Sequence, residues 1–361
     1  MSDNVYRKLA RVLDTLPNGF PSTEDGVELR LLKKIFTPEE ADLFCDLRLT
    51  FETAAKIAQR TGRPVDGLEP RLESMAARGE LFVLELADVK YFKMMPWAFG
   101  IYEFQLPRLD REFCELNDQY RKTFAQQFFT GQPPLMQVLP VEKEIPGGHQ
   151  VLPYEQVSTM INNGQSFGLS DCICKKEMQL LHRGCDKPLL SCLAVAPVPG
   201  VFEEGKWGRA ITREQACALL AEAEEQGLVH LTWNTQVGQT FICNCCGCCC
   251  GVLQSINQQG IPAGLVVNSH FCARIDMELC TACGICATER CQVRAIEESD
   301  GAYRVLPQRC IGCGLCVSTC PTNALALLRR AENECRTPPF NEEAWYQERG
   351  RQRGVDFDKY K

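Results

Sequence analysis

Cysteine carries the chemistry in this chain. It holds 23 cysteines among 361 residues, and most of them fall in three short stretches. From Cys280 to Pro321 the chain reads CTACGICATERC, then about eighteen residues, then CIGCGLCVSTCP. Each half places three cysteines two residues apart (Cys280, Cys283, Cys286 and Cys310, Cys313, Cys316) and adds a fourth further on, Cys291 or Cys320. A cubane cluster needs four thiolates at tetrahedral corners, and a Cys-x-x-Cys-x-x-Cys turn can wrap three of them. Zinc sites more often use two paired knuckles than two triple runs.

The second stretch, Cys243, Cys245, Cys246, Cys248, Cys249 and Cys250, puts six thiols in eight residues. Packing does not ask for adjacent small thiols on both faces of a loop. Neighbours such as Cys245 and Cys246 project in different directions, so the loop alone is a poor four-corner cage, but it can supply two sites. Cys172, Cys174, Cys185 and Cys192 form the third stretch and bring the total to ten thiols, where two cubanes need eight. One or two further iron–sulfur clusters, assembled from both stretches, are expected. Zinc at Cys172–Cys192 is the competing occupant, and a reactive dithiol or substrate-binding cluster is the third reading. Cys45, Cys114, Cys217 and Cys335 stand alone and read as small apolar fillers. Cys272, eight residues before the ferredoxin run and beside His270, is open to either reading, and His270 and His182 read as hydrogen-bonding side chains rather than ligands.

The stretch 276–328 closely resembles the bacterial-type dicluster ferredoxin domain. Its second half matches completely, including Pro321 after the last cysteine and Gly312 and Gly314, which let backbone amides approach the sulfurs. The first half departs twice. Four residues separate Cys286 from Cys291 where the pattern has three, and Gln292 stands where proline is usual. The resemblance implies a crossed ligand set, in which Cys280, Cys283, Cys286 and Cys320 hold one 4Fe–4S cluster and Cys310, Cys313, Cys316 and Cys291 hold the second.

The remaining elements must position these cysteines. Composition is ordinary, with 45% hydrophobic and 24% charged residues, and the net charge of −7 offers no footprint for nucleic acid or anionic lipid. No apolar run is long enough to span a membrane, and the polar start MSDNVYRKLARVLD lacks an apolar signal core. So many thiols without an export signal point to metal in a reducing cytoplasm. Thr37-Pro38-Glu39-Glu40 is a helix start. Helical stretches at about 38–49, 51–61 and 66–78, followed by LFVLEL and VKYFKM, resemble a winged-helix fold over residues 27–95. Its third helix carries Asp66, Glu69, Glu73 and Glu80 against Arg71 and Arg78, a balance that repels phosphates. An apolar stripe from Leu109 to Phe128 predicts a helix over 108–129. Residues 131–153, rich in proline and glycine, read as an extended surface linker, and residues 331–361 as a charged tail without fixed structure or lying along a partner.

The expected fold class is α+β and multi-domain. A winged-helix-like domain with an N-terminal helix covers residues 1–106, and a helix and linker cover 107–153. A cysteine-rich α/β domain follows at 154–275, the dicluster ferredoxin domain at 276–330, and the tail at 331–361. The chain shows no dinucleotide fingerprint and no P-loop. Its means are single-electron transfer. The expected function is therefore an electron-transport component of anaerobic metabolism that passes electrons to or from a flavin- or metal-containing oxidoreductase. A reductase with its centre at Cys172–Cys250, and a redox-sensing winged-helix regulator, are the alternatives.

Overall fold

The computed structural model describes residues 2–145, 151–203 and 208–361, and these fall into two compact units. The chain mixes helix and strand in both, as an α+β fold does.

Unit 1 comprises Met1–Phe128 with Tyr346–Lys361. It opens with the helices α1 (Ser2–Thr15), α2 (Val27–Ile35), α3 (Pro38–Phe44), α4 (Ala54–Thr61) and α5 (Leu68–Ala77). Thr37 starts α3 as read from the sequence: its hydroxyl accepts from the Glu40 N–H, and the Glu40 carboxylate accepts from the Thr37 N–H at 2.8 Å. A hairpin of β1 (Phe82–Leu86) and β2 (Val89–Lys93) follows, turning at Ala87-Asp88, and Glu52 bridges to Phe92. After the short α6 (Tyr102–Phe104) comes α7 (Arg111–Thr130), whose Phe113, Leu116, Tyr120, Phe124 and Phe128 are buried at helical spacing. Phe20 lies against Tyr120 and Trp97 with ring centres 4.9 and 5.2 Å away.

Unit 2, Phe129–Trp345, is built on a seven-stranded sheet. Its strands are β3 (Met136–Leu139), β4 (Ser166–Asp171), β5 (Leu190–Ala196), β6 (Arg209–Ile211), β7 (Val229–Trp233), β8 (Phe241–Cys245) and β9 (Val267–Asn268), in spatial order β6-β4-β5-β8-β7-β3-β9. Among the described residues only the β3–β9 pair is parallel. The helices are α8 (Val157–Asn163), α9 (Ile173–Leu180), α10 (Arg213–Glu225), α11 (Gly251–Asn257) and α12 (Ala263–Val266). A capping box of Thr212 and Gln215 starts α10, and Ala216 and Leu220 pack with Leu193, Val195 and Ile242 of the sheet. Beyond the sheet come β10 (Phe271–Ile275), β11 (Ile296–Ser299), β12 (Ala302–Val305) and β13 (Leu325–Arg329), which pair as β10–β13 and β11–β12.

Two sequence expectations are corrected here. Residues 136–139, placed in a surface linker, are the fully buried strand β3, which pairs with both β7 and β9. The flanking prolines bound the strand, and Met-Gln-Val-Leu is too short to show alternation. Unit 2 accordingly begins near residue 129 and not 154; the Pro146-Gly147-Gly148 part of the linker reading lies outside the described residues. Residues 331–361 are not a tail without structure: they contain α13 (Glu342–Arg353), and Trp345, Arg349, Phe357 and Tyr360 are buried. Within unit 2 the Trp345 indole donates to Pro134 O at 3.0 Å and its ring lies 5.6 Å from that of Trp233. Within unit 1 Arg353 donates to Asp14 O and Leu49 N–H to Tyr360 O.

Candidate metal centres

The stretch around Cys280–Cys320 folds as two similar turns-and-strand halves. Ala282 and Gly312 occupy the same place in each Cys-x-x-Cys run and both have positive φ, 54° and 63°. The second position requires glycine for space as well, because a Cβ on Gly312 would stand 2.2 Å from the Phe271 carbonyl oxygen. Each half encloses a recess. The first, of about 350 Å³, is lined by Cys280, Cys283, Cys286 and Cys320, with Tyr303 and Ile275. The second, of about 360 Å³, is lined by Cys310, Cys313, Cys316 and Cys291, with Arg290 and Ile311. Three thiols of each recess come from one run, and the fourth crosses from the other half.

Backbone amides aim at these sulfurs. Ala295 N–H donates to Cys291 Sγ at 3.1 Å, Ala324 N–H to Cys320 Sγ at 3.2 Å, and Ala273 N–H to Cys310 Sγ at 3.4 Å. Amide hydrogen bonds favour the thiolate form and offset the charge a cluster carries. Burial pushes the Cys313 thiol up to about 12 and raises Cys316, Cys286 and Cys291. The donor set, the recesses and the amides fit 4Fe–4S clusters.

Sequence reasoning passed over Cys272. It sits on β10, where its thiol donates to Ala273 O at 3.5 Å, and its closeness to Cys310 brings the Cys310 thiol down to about 6. A polar neighbour of a cluster sulfur is in general a lever on redox potential. Its position eight residues before the run gave no spacing signal. His270 is a buried bonding residue, joined to Glu155 through Nδ1 and to Arg336 O through Nε2.

The ten other thiols fall into two groups. Cys172, at the start of α9, Cys174, Cys192 on β5, Cys243 and Cys245 on β8, and Cys250 form a chain of neighbours. Cys172 neighbours Cys174, Cys174 neighbours Cys250, Cys250 neighbours Cys245, Cys245 neighbours Cys243, and Cys243 neighbours Cys192, each thiol shifting the next. Cys192 and Cys243 are register partners across the sheet. The neighbouring Cys192 and then Cys245 bring the Cys243 thiol down to about 5 against the effect of burial, with a smaller contribution from the Lys175 charge. The second group is Cys185, Cys246, Cys248 and Cys249, whose sulfurs all lie within 4.8 Å of one another. Cys245 and Cys246, adjacent in sequence, thus serve different groups. Lys175 is buried, and its ammonium donates to Pro188 O at 2.7 Å and Ser191 Oγ at 2.9 Å, both neutral groups.

The solitary cysteines divide. Cys45 and Cys114 are buried as fillers, whereas Cys217 is exposed and fills nothing.

A family model described as 4Fe-4S binding domain matches residues 303–326, which include Cys310, Cys313, Cys316 and Cys320. No curated protein matches the chain. The chain is similar to 4Fe-4S binding domains over those residues and carries an iron–sulfur, ferredoxin-like region. Among the described residues no helix is long and apolar enough to cross a membrane.

Proposed function

We propose that this chain is an iron–sulfur electron-transfer protein, relaying single electrons to or from a flavin- or metal-containing redox enzyme. Two 4Fe–4S clusters are held by the crossed sets Cys280, Cys283, Cys286, Cys320 and Cys310, Cys313, Cys316, Cys291, and a further cluster by the chain from Cys172 to Cys250. The observation that carries the reading is the pairing of two recesses with two complete four-thiol sets. A bound 4Fe–4S cluster supplies reversible one-electron chemistry. The protein's own part is spacing, insulation and potential. Amides at Ala273, Ala295 and Ala324 hold the sulfurs, Cys272 tunes Cys310, and Ile275, Ile296 and Leu325 exclude water from beside them. The exposed Cys283 edge is where a partner would approach. The three-helix-and-hairpin portion of unit 1 is a scaffold of winged-helix type, and its third helix, α5, bears Glu69 and Glu73 and is unsuited to phosphates.

The six-thiol chain favours a second reading, since it holds two thiols beyond the four a cubane uses. In that reading it is the substrate centre of a reductase fed by the ferredoxin clusters. Anaerobically prepared protein should contain at least about eight irons with matching sulfide and should exchange electrons with one-electron dyes. Iron without acid-labile sulfide would refute the relay. Sustained disulfide reduction by the lone chain, lost in Cys243→Ser, would replace it with the reductase.

A further inference from the structure

The four-thiol group differs from the other sites in scale. Cys185 Sγ stands 3.8 Å from Cys246 Sγ and 3.5 Å from Cys249 Sγ, and Cys249 Sγ stands 3.8 Å from Cys248 Sγ. Ligands about 2.3 Å from a zinc ion at tetrahedral corners are about 3.8 Å apart, the edge of a tetrahedron being about 1.63 times its radius. A cubane carries each thiolate on a separate iron, outside a body of four irons and four sulfides, which spreads the thiolates further. Among the described residues, no three thiols of either ferredoxin recess or of the six-thiol chain come as close to one another as these four do.

From this we infer that Cys185, Cys246, Cys248 and Cys249 bind one mononuclear zinc ion, a tetrathiolate site separate from every iron–sulfur cluster of the chain. All four corners are protein, so the site is closed and structural. Its elements need such a clamp. Cys185 lies in the irregular segment after α9, and Cys246–Cys249 form the turn between β8 and α11. Around the sulfurs the packing is thin and apolar, made by Met178, Leu181, Ala223 and Leu228. The buried Lys175, whose charge acts on both Cys246 and Cys243, offsets part of the net negative charge of a zinc tetrathiolate. Holding the turn from one side fixes Cys243, Cys245 and Cys250 for the other group. The sequence C-x-C-C at 246–249 serves a single ion because the turn folds its thiols to one side.

The test measures zinc, iron and acid-labile sulfide on one anaerobic sample of the full chain. About one zinc per chain is expected, and Cys248→Ser, at an exposed corner, should remove it with iron and sulfide unchanged. Cys185→Ser should do the same, with the paramagnetic signals of the reduced ferredoxin clusters intact. Protein loaded with cobalt should show the intense thiolate-to-cobalt absorption of a tetrahedral site, and lose it in Cys248→Ser. Because cobalt absorption reads the site directly, it decides the matter even if Cys185→Ser fails to accumulate. Loss of about four irons and their sulfide in Cys248→Ser, or iron without sulfide in place of zinc, would overturn the assignment. Neither result would touch the two ferredoxin clusters, so this inference can fail while the relay stands.

Discussion

Glu155 ties the short turn Pro153–Glu155 to the β10–β13 pair of the iron–sulfur segment, and its removal should be costly. Its carboxylate accepts from Arg329 Nη1 at 2.9 Å and from Leu152 N–H at 2.7 Å, and meets His270 Nδ1. His270 directly precedes β10, and Arg329 ends β13, its partner strand. Glu155 and His270 are both buried, while Arg329 is about a fifth exposed. Glu155→Gln keeps the shape and removes the charge, leaving an uncompensated guanidinium. Breaking one side of a buried pair costs about 3–5 kcal/mol, and the exposure of Arg329 argues for about 3. For a unit of this length each kcal/mol moves Tm by about 2–4 °C, so a fall of about 6–12 °C is expected. Burial pushes the Glu155 carboxyl up, but hydrogen bonds from His270, Leu152 N–H and Arg329 outweigh it and leave it below its ordinary 4.5. A lowered carboxyl stabilises fully above its unfolded value and stops doing so as pH falls through its folded value. The gap between wild type and variant should therefore be complete at neutral pH and narrow below about pH 4.5. Anaerobic thermal melts, with iron counted before heating, measure it. A fall of under about 2 °C at pH 7, equivalent to less than about 1 kcal/mol, would refute the reasoning.

Cys320→Ala should remove the cluster anchored by Cys280, Cys283 and Cys286 and spare the other, as paramagnetic resonance of the reduced protein will report; loss confined to the Cys310–Cys316 signal would refute the crossing. Gly312→Ala drives a methyl to 2.2 Å from Phe271 O, so the Cys310-run cluster should be lost or unstable in oxygen titrations while the Cys280-run cluster persists. Cys192→Ser should lower iron and sulfide without altering either ferredoxin signal, and unchanged iron would remove the six-thiol group from the list of cluster sites.

What the sequence made legible was whatever is encoded locally. The Thr37 and Thr212 capping boxes and the α7 stripe declare themselves within a few residues, and the triple-cysteine runs announce their turns in the same way. The partition of the ten other thiols was half legible: adjacent side chains diverge, so Cys245 and Cys246 had to serve different places, but only folding brings Cys185 to one group and Cys192 to the other. β3 escaped notice because four buried residues between prolines carry no period. The helix Glu342–Arg353 escaped because its charge hides the face formed by Trp345 and Arg349, which depends on distant residues such as Pro134 and Phe128.

The two departures from the ferredoxin pattern acquire a reason in three dimensions. The extra residue between Cys286 and Cys291 is absorbed in a single π-turn, with Cys291 N–H bonded to Cys286 O. Arg290, at the end of that turn, donates to Glu224 O and Glu225 O, both at 2.8 Å, at the C-terminus of α10. Glu224 O also accepts from Gly227 N–H at 3.0 Å, and the guanidinium adds a positive charge at the negative end of the helix. Gln292, in the place of the usual proline, accepts from Gly247 N–H at 2.8 Å through Oε1, and its own carbonyl accepts from Asn257 Nδ2 at 2.8 Å. A Cβ on Gly247 would lie 2.2 Å from that carbonyl oxygen, so the cysteine turn and the ferredoxin loop are in direct backbone contact. Gln292 also lines the second recess. Proline could occupy the position only by giving up the side-chain acceptor that receives the Gly247 amide. Both irregularities thus lie on the face that meets α10 and the cysteine turn at Gly247.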